Sequence, residues 1–267
     1  MTDPIHFACE TARTRALKVG GLTLNALEWG EPGRPALCFL HGGSAHAHWF
    51  DGVVASFADR FHVLALDQRG HGTSEWAPEP AYASEDFAGD LLGLADAMGF
   101  AAWHPDRVER LVVVDSRPSI PAERLQNMHR RGDRGPMRHE TLDSALKSFR
   151  LLPRETVADP RLLEHLARQG VTERGGRFLY RFDPACNGRR RPTDGWALLE
   201  RITAPTLLVR GEHSPILPRE MAADMLARLP QARLMEIAGT YHHLVLDAPL
   251  PFAKVLDAFL GEANLPA

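Results

Sequence analysis

The chain has 267 residues, 44% of them hydrophobic and 24% charged, which suits one soluble globular domain with a sizeable core. A formal charge of -3 excludes the basic footprint of a nucleic-acid binder. No run reaches the roughly 18 apolar residues of a membrane span, and Met1–Ala12 lacks the regions of a signal peptide. Cys9, Cys38 and Cys186 are odd in number and widely spaced, with no C-x-x-C, so reduced thiols and a cytoplasmic setting are expected.

The first elements read as a β-hairpin. Arg13–Val19 and Leu22–Trp29 are strand-like, and Gly20-Gly21 between them suits a tight primed turn. Ala36–Leu40 is a short apolar run fit for a buried central strand, with Cys38 in the core. A helix is expected over His48–Asp59 and a strand at His62–Leu66. Ser84–Met98 reads as a helix, with Phe87, Leu91, Leu94, Ala95 and Met98 at helical spacing. Strands follow at Arg110–Asp115, Ala204–Arg210 and Ala232–Ile237, and helices at Arg219–Leu229 and Leu250–Leu260. Strands alternating with helices predict an α/β fold with a mostly parallel sheet covered by helices.

Between Arg117 and Ala204 the alternation stops. Glu123–Arg131, Glu140–Leu152 and Pro160–Gln169 look helical, and Arg177–Phe182 looks extended. Arg117–Arg191 holds 17 Lys and Arg against 9 Asp and Glu, inside a chain that is acidic elsewhere. Such a shift marks a separate structural unit. Residues 117–203 are therefore expected to be a helical cap inserted between strands of a core formed by 1–116 and 204–267. The basic surface reads first as a solvated Arg-rich face, and second as one that attracts an anionic substrate or partner. The oligomeric state is not readable.

Three stretches carry chemistry. Leu40-His41-Gly42-Gly43-Ser44 follows a strand, and its glycines let backbone amides approach a ligand. Asp67-Gln68-Arg69-Gly70-His71-Gly72-Thr73-Ser74 follows the next strand, with Asp67 and Arg69 placed to pair. Gly239-Thr240-Tyr241-His242-His243-Leu244 follows the last strand and precedes Pro249 and the final helix. In order and spacing these stretches resemble the α/β-hydrolase family, with a weaker match at His104-Pro105-Asp106-Arg107-Val108. The resemblance covers most of the chain outside the cap. It implies that the Gly43 amide is an oxyanion donor and that His242 is the general base, favoured over His243 by its spacing to Pro249. Tyr241 stands where the family more often has glycine. The acid is expected at Asp115, a strand-end position used by some relatives, including haloalkane dehalogenases. Glu212, in Gly211-Glu212-His213-Ser214-Pro215, is the second choice, because Ser214 or Pro215 occupies the place of the usual aspartate.

The pattern breaks where the nucleophile belongs. The family has a strand, a G-x-S-x-G elbow and a helix between the Ser84–Met98 helix and the His104–Val108 stretch. Here Met98-Gly99-Phe100 runs directly into Ala101-Ala102-Trp103-His104, and no G-x-S-x-G, G-x-D-x-G or G-x-C-x-G occurs. A strand, a turn and two or three helical turns amount to roughly 15–20 residues. One central strand is therefore expected to be missing. Ser44 and Ser116 are the alternative hydroxyls, each without an elbow to aim it. No cofactor is expected. A metal reading of His46-Ala47-His48 finds no acidic or thiol cluster at zinc-ligand spacing. The function implied is ester or related acyl-bond hydrolysis by a Ser-His-Asp type mechanism, with activity of this chain in doubt. The alternatives are a non-catalytic binding protein on the same scaffold, or an internally deleted form of an active hydrolase. A dehalogenase reading needs an elbow aspartate and ranks below them.

Overall fold

The computed structural model describes residues 4–78, 81–90, 105–191 and 194–262. The junction where the elbow is expected to be lost, and the helical residues expected at 91–98, lie outside the described residues. Strands run in chain order as β1 (Arg13–Val19), β2 (Leu22–Trp29), β3 (Ala36–Leu40), β4 (His62–Asp67), β5 (Leu111–Val114), β6 (Arg138–His139), β7 (Val171–Arg174), β8 (Arg177–Tyr180), β9 (Thr206–Gly211) and β10 (Ala232–Ile237). The chain forms two compact units. One comprises Met1–Ala95, Pro121–Leu151 and Asp159–Arg191. The other comprises Asp96–Ile120, Leu152–Ala158 and Pro192–Ala267.

In the first unit the sheet order is β1-β2-β4-β3. The hairpin pairs antiparallel from Val19 with Leu22 to Arg13 with Glu28. Gly20 and Gly21 turn it with φ of 55° and 83°, the left-handed pair that a primed turn requires. Strand β2 also pairs antiparallel with β4, and β3 pairs parallel with β4. Leu22, Leu24, Ala26 and Leu66 pack together beside this pairing.

Several expectations for this unit are corrected. Strand β3 is terminal in its sheet, and Ala36 and Cys38 are exposed rather than core. Among the described residues nothing pairs with its outer edge, so the side chains there meet no neighbouring strand. The helix expected at His48–Asp59 is a 3₁₀ turn at Ala47–Phe50 followed by Asp51–Val54. A helix at Pro4–Thr11 was not expected. Asp67 does not pair with Arg69. Its oxygens accept from the amides of Ala47 (2.7 Å) and Thr73 (2.8 Å), while Arg69 grips Asp90 through Nε (2.5 Å) and Nη2 (2.6 Å). A carboxylate among unpaired amides is stabilised by them directly, which leaves the guanidinium for another partner. The inserted stretch is not all helix. Beside helices at Ala122–Gly132, Leu142–Ser148 and Pro160–Gln169 it folds a small antiparallel sheet in the order β6-β8-β7.

In the second unit β9 lies between β10 and β5, parallel to both. Every residue of β9 is buried, as expected for a strand paired on both sides and covered on both faces. Leu111, Val113 and Leu208 pack with Leu199, Ile202 and Met225 in its core. Helices at Arg219–Leu226 and Pro249–Leu260 follow β9 and β10. No helix of the described residues is long and apolar enough to cross a membrane.

Candidate active site

The loop after β10 is built to hold one imidazole. Gly239 turns the chain at φ 69°, its amide donating to Glu212 Oε2 at 2.8 Å. The Thr240 hydroxyl donates to Ile237 O at 2.7 Å, and the Tyr241 amide to Asp247 Oδ2 at 2.8 Å. Gly211 at the end of β9 accommodates this loop closely. A Cβ there would lie 2.1 Å from Tyr241 O, a separation only glycine avoids.

His242 leaves this loop with Nδ1 2.7 Å from Asp115 Oδ2. Asp115 directly follows β5 in the left-handed region at φ 45° and is fully buried. This backbone strain is tolerated because the carboxylate is held from three sides. Oδ1 accepts from the Gly211 amide at 3.1 Å, and Oδ2 accepts from the Ser214 hydroxyl at 2.5 Å as well as from His242. Since a carboxylate only accepts, Nδ1 carries the proton and Nε2 is the basic nitrogen. Among the described residues no group hydrogen-bonds to that Nε2, and the His242 side chain is 27% exposed. His243 is differently employed. Its Nε2 donates to Pro153 O at 2.9 Å, and burial, with the neighbouring His242, lowers its pKa from the ordinary value. Glu212 does not reach the imidazole; it caps the Gly239 turn, and that amide bond lowers its pKa. No hydrogen bond joins Ser116 to His242.

The glycine loop lies in the first unit, laced by two buried rings whose roles the sequence did not disclose. His41 Nδ1 donates to Gly42 O at 2.8 Å, and its Nε2 accepts from the Gln68 amide at 3.1 Å. His71 Nδ1 donates to Arg69 O at 2.9 Å, and its Nε2 accepts from the Ser44 amide at 3.2 Å. Each ring must be neutral to donate at one nitrogen and accept at the other. Burial enforces this, lowering the His41 pKa and taking that of His71 down to about 3. Ser44 sits at φ 65°. Gly43 is exposed, and its amide donates to no acceptor among the described residues.

Ser214 was read only as a residue in the place of an absent aspartate. Its hydroxyl donates to Asp115, and its Oγ also accepts from the Ile216 amide at 3.0 Å. An aspartate ending one strand together with a serine after the next was the available signal.

A buried acid beside an imidazole whose far nitrogen is free can take up and return a proton. The family model described as the alpha/beta hydrolase family matches residues 39–255, and the chain belongs to that family. It is 26% identical to a 2-(acetamidomethylene)succinate hydrolase of Mesorhizobium japonicum, across 92% of this chain and 95% of that protein. It is 29% identical to a pimeloyl-[acyl-carrier protein] methyl ester esterase of Nitrosomonas europaea, across 84% of this chain and 95% of that protein. The crystal structure of an E-2-(acetamidomethylene)succinate hydrolase superposes with a TM-score of 0.81 at 25% identity, covering 94% of this chain and all of the other.

Proposed function

We propose that His242 and Asp115 belong to a site for hydrolysing an ester or related acyl bond of a small anionic substrate, and that this chain lacks the attacking group. The observation that carries the reading is the 2.7 Å contact from His242 Nδ1 to buried Asp115, with Nε2 left free. In the complete site a serine hydroxyl attacks the acyl carbon while its proton passes to His242 Nε2. Asp115 stabilises the imidazolium, and backbone amides, including that of Gly43, hold the oxyanion. The imidazolium then protonates the leaving group, and water, deprotonated by His242, releases the acid and restores the serine.

The serine belongs on an elbow between Met98 and His104, where the sequence has none. The alignment with the Mesorhizobium relative runs over 268 residues yet uses 92% of a 267-residue chain, so somewhere within it that relative carries residues this chain lacks. The same relative is named for a succinate derivative. That name, with the excess of arginine in Arg117–Arg191, supports an anionic substrate selected by a cap at 117–203.

The test inserts the relative's elbow segment between Met98 and His104 and assays neutral and carboxylate-bearing esters. The expected result is hydrolysis that disappears in His242→Ala and favours the carboxylate esters. A folded insertion variant that stabilises on adding ligand yet never turns over would place the chain among binding proteins instead.

A further inference from the structure

The first unit holds a second carboxylate–imidazole cluster, unconnected with the chemistry above. Asp51 is fully buried. Its Oδ2 lies 2.8 Å from His48 Nδ1 and 2.7 Å from His165 Nε2. Its Oδ1 is buried and has no hydrogen-bond partner. Cys9 Sγ stands 3.9 Å from His165 Nε2. One ligand atom each from Cys9, Asp51 and His165 lies within 4.8 Å of the others.

We propose that Cys9, Asp51 and His165 bind a zinc-class divalent ion that clips the N-terminal helix to the inserted segment, with His48 orienting the carboxylate. Four features lead there. A thiol, an imidazole and a carboxylate are the donor types of zinc, whereas calcium and magnesium take oxygen ligands. With metal–ligand bonds of about 2.0–2.3 Å, tetrahedral ligands stand roughly 3.3–3.8 Å apart, so small side-chain shifts close the site. The orphaned Oδ1 is a costly buried acceptor, and an ion would satisfy it. The charge also balances, since a thiolate and a carboxylate neutralise a divalent cation.

Metal-free, the cluster is awkward. Two imidazoles crowd one oxygen of Asp51 while the other is left without a partner. Binding would replace the thiol proton with the ion, which the thiolate then ligates, and a water would complete the coordination. His48 keeps its hydrogen bond to Asp51, as outer-sphere partners of ligands do. It also borders a cavity of about 530 Å³ that Asn25, Gln169 and Arg181 help to line. Because Cys9 and His165 are 156 residues apart, the ion would tie together segments distant in the chain, and binding would stabilise the folded unit.

The test uses the full chain, stripped with a chelator and titrated with Co²⁺. The expected result is a sulfur-to-cobalt charge-transfer band that saturates at one equivalent. It should vanish in Cys9→Ser, persist in Cys38→Ser and be displaced by Zn²⁺. Zn²⁺ should also raise the thermal midpoint of the parent chain and not that of Cys9→Ser. His48→Ala should weaken Co²⁺ binding about 10- to 100-fold. Cys9 is exposed, so its serine variant keeps the fold and the test stays decisive even where Asp51→Asn or His165→Gln does not. No charge-transfer band, or a band that survives in Cys9→Ser, overturns the proposal.

Discussion

Asp115 and Asp51 are both fully buried and both meet histidine, one in each compact unit. Asp115 divides its oxygens between a backbone amide, a hydroxyl and a single imidazole, so every lone-pair direction that matters is satisfied and the ring's far nitrogen is left free. Asp51 directs one oxygen at two imidazoles and leaves the other bare. A carboxylate that orients one ring prepares a proton acceptor. A carboxylate shared by two rings, with a thiol beside them, prepares a cation site. The difference lies in what surrounds the acid, since the residue types in contact are nearly the same.

The largest effect should come from the first carboxylate. In the elbow-restored chain, Asp115→Asn should lower kcat about 10⁴-fold with little change in KM, because the amide reverses the tautomer of His242. A loss confined to KM would make Asp115 a binding group. The second carboxylate should weigh on stability. Asp51→Ala strips two half-buried histidines of their buried partner and should cost about 3 kcal/mol in urea unfolding of the metal-free chain. A cost below about 1 kcal/mol would mean that neither ring depends on it.

The rings of the glycine loop add a pH dependence. Burial places the folded-state pKa values of His41 and His71 below the ordinary 6.5, near 3 for His71. As pH falls the unfolded chain takes up these protons first. Stability should therefore be level above about 6.5 and decline below it, by about 1.4 kcal/mol per pH unit for each ring until the folded ring protonates. Denaturant midpoints between pH 7 and 4 measure this, and His71→Gln should flatten the slope. The smallest effect should follow from Ser214→Ala. Removing one hydrogen bond to Asp115 is worth about 1–1.5 kcal/mol, roughly a tenfold loss of kcat in the restored chain.

Much of this was legible in the sequence where a local signal dictated it. Gly20-Gly21 marks the hairpin turn, and the runs at β4 and β9 are apolar because those strands are largely or wholly buried. The family motifs led to Asp115 and His242, which the fold brings to 2.7 Å although 127 residues separate them. What escaped had no local signature. Strands β6 and β7 are two and four residues long, too short for alternation to register. Asp67 and Arg69 look like partners until the amides of Ala47 and Thr73 claim the carboxylate. Cys38 sits in an apolar run, but its strand is terminal in its sheet. Cys9, Asp51 and His165 converge only in space, so no ligand spacing could announce them.

The most direct measurement treats the chain as it stands with a fluorophosphonate probe and maps any labelled serine, alongside His242→Ala. An intact base with nothing to activate predicts no labelled serine and ester hydrolysis at the same background rate in both proteins. Labelling of a single serine such as Ser44 or Ser116 that is lost in His242→Ala would contradict the account, because the attacking group would then already be present.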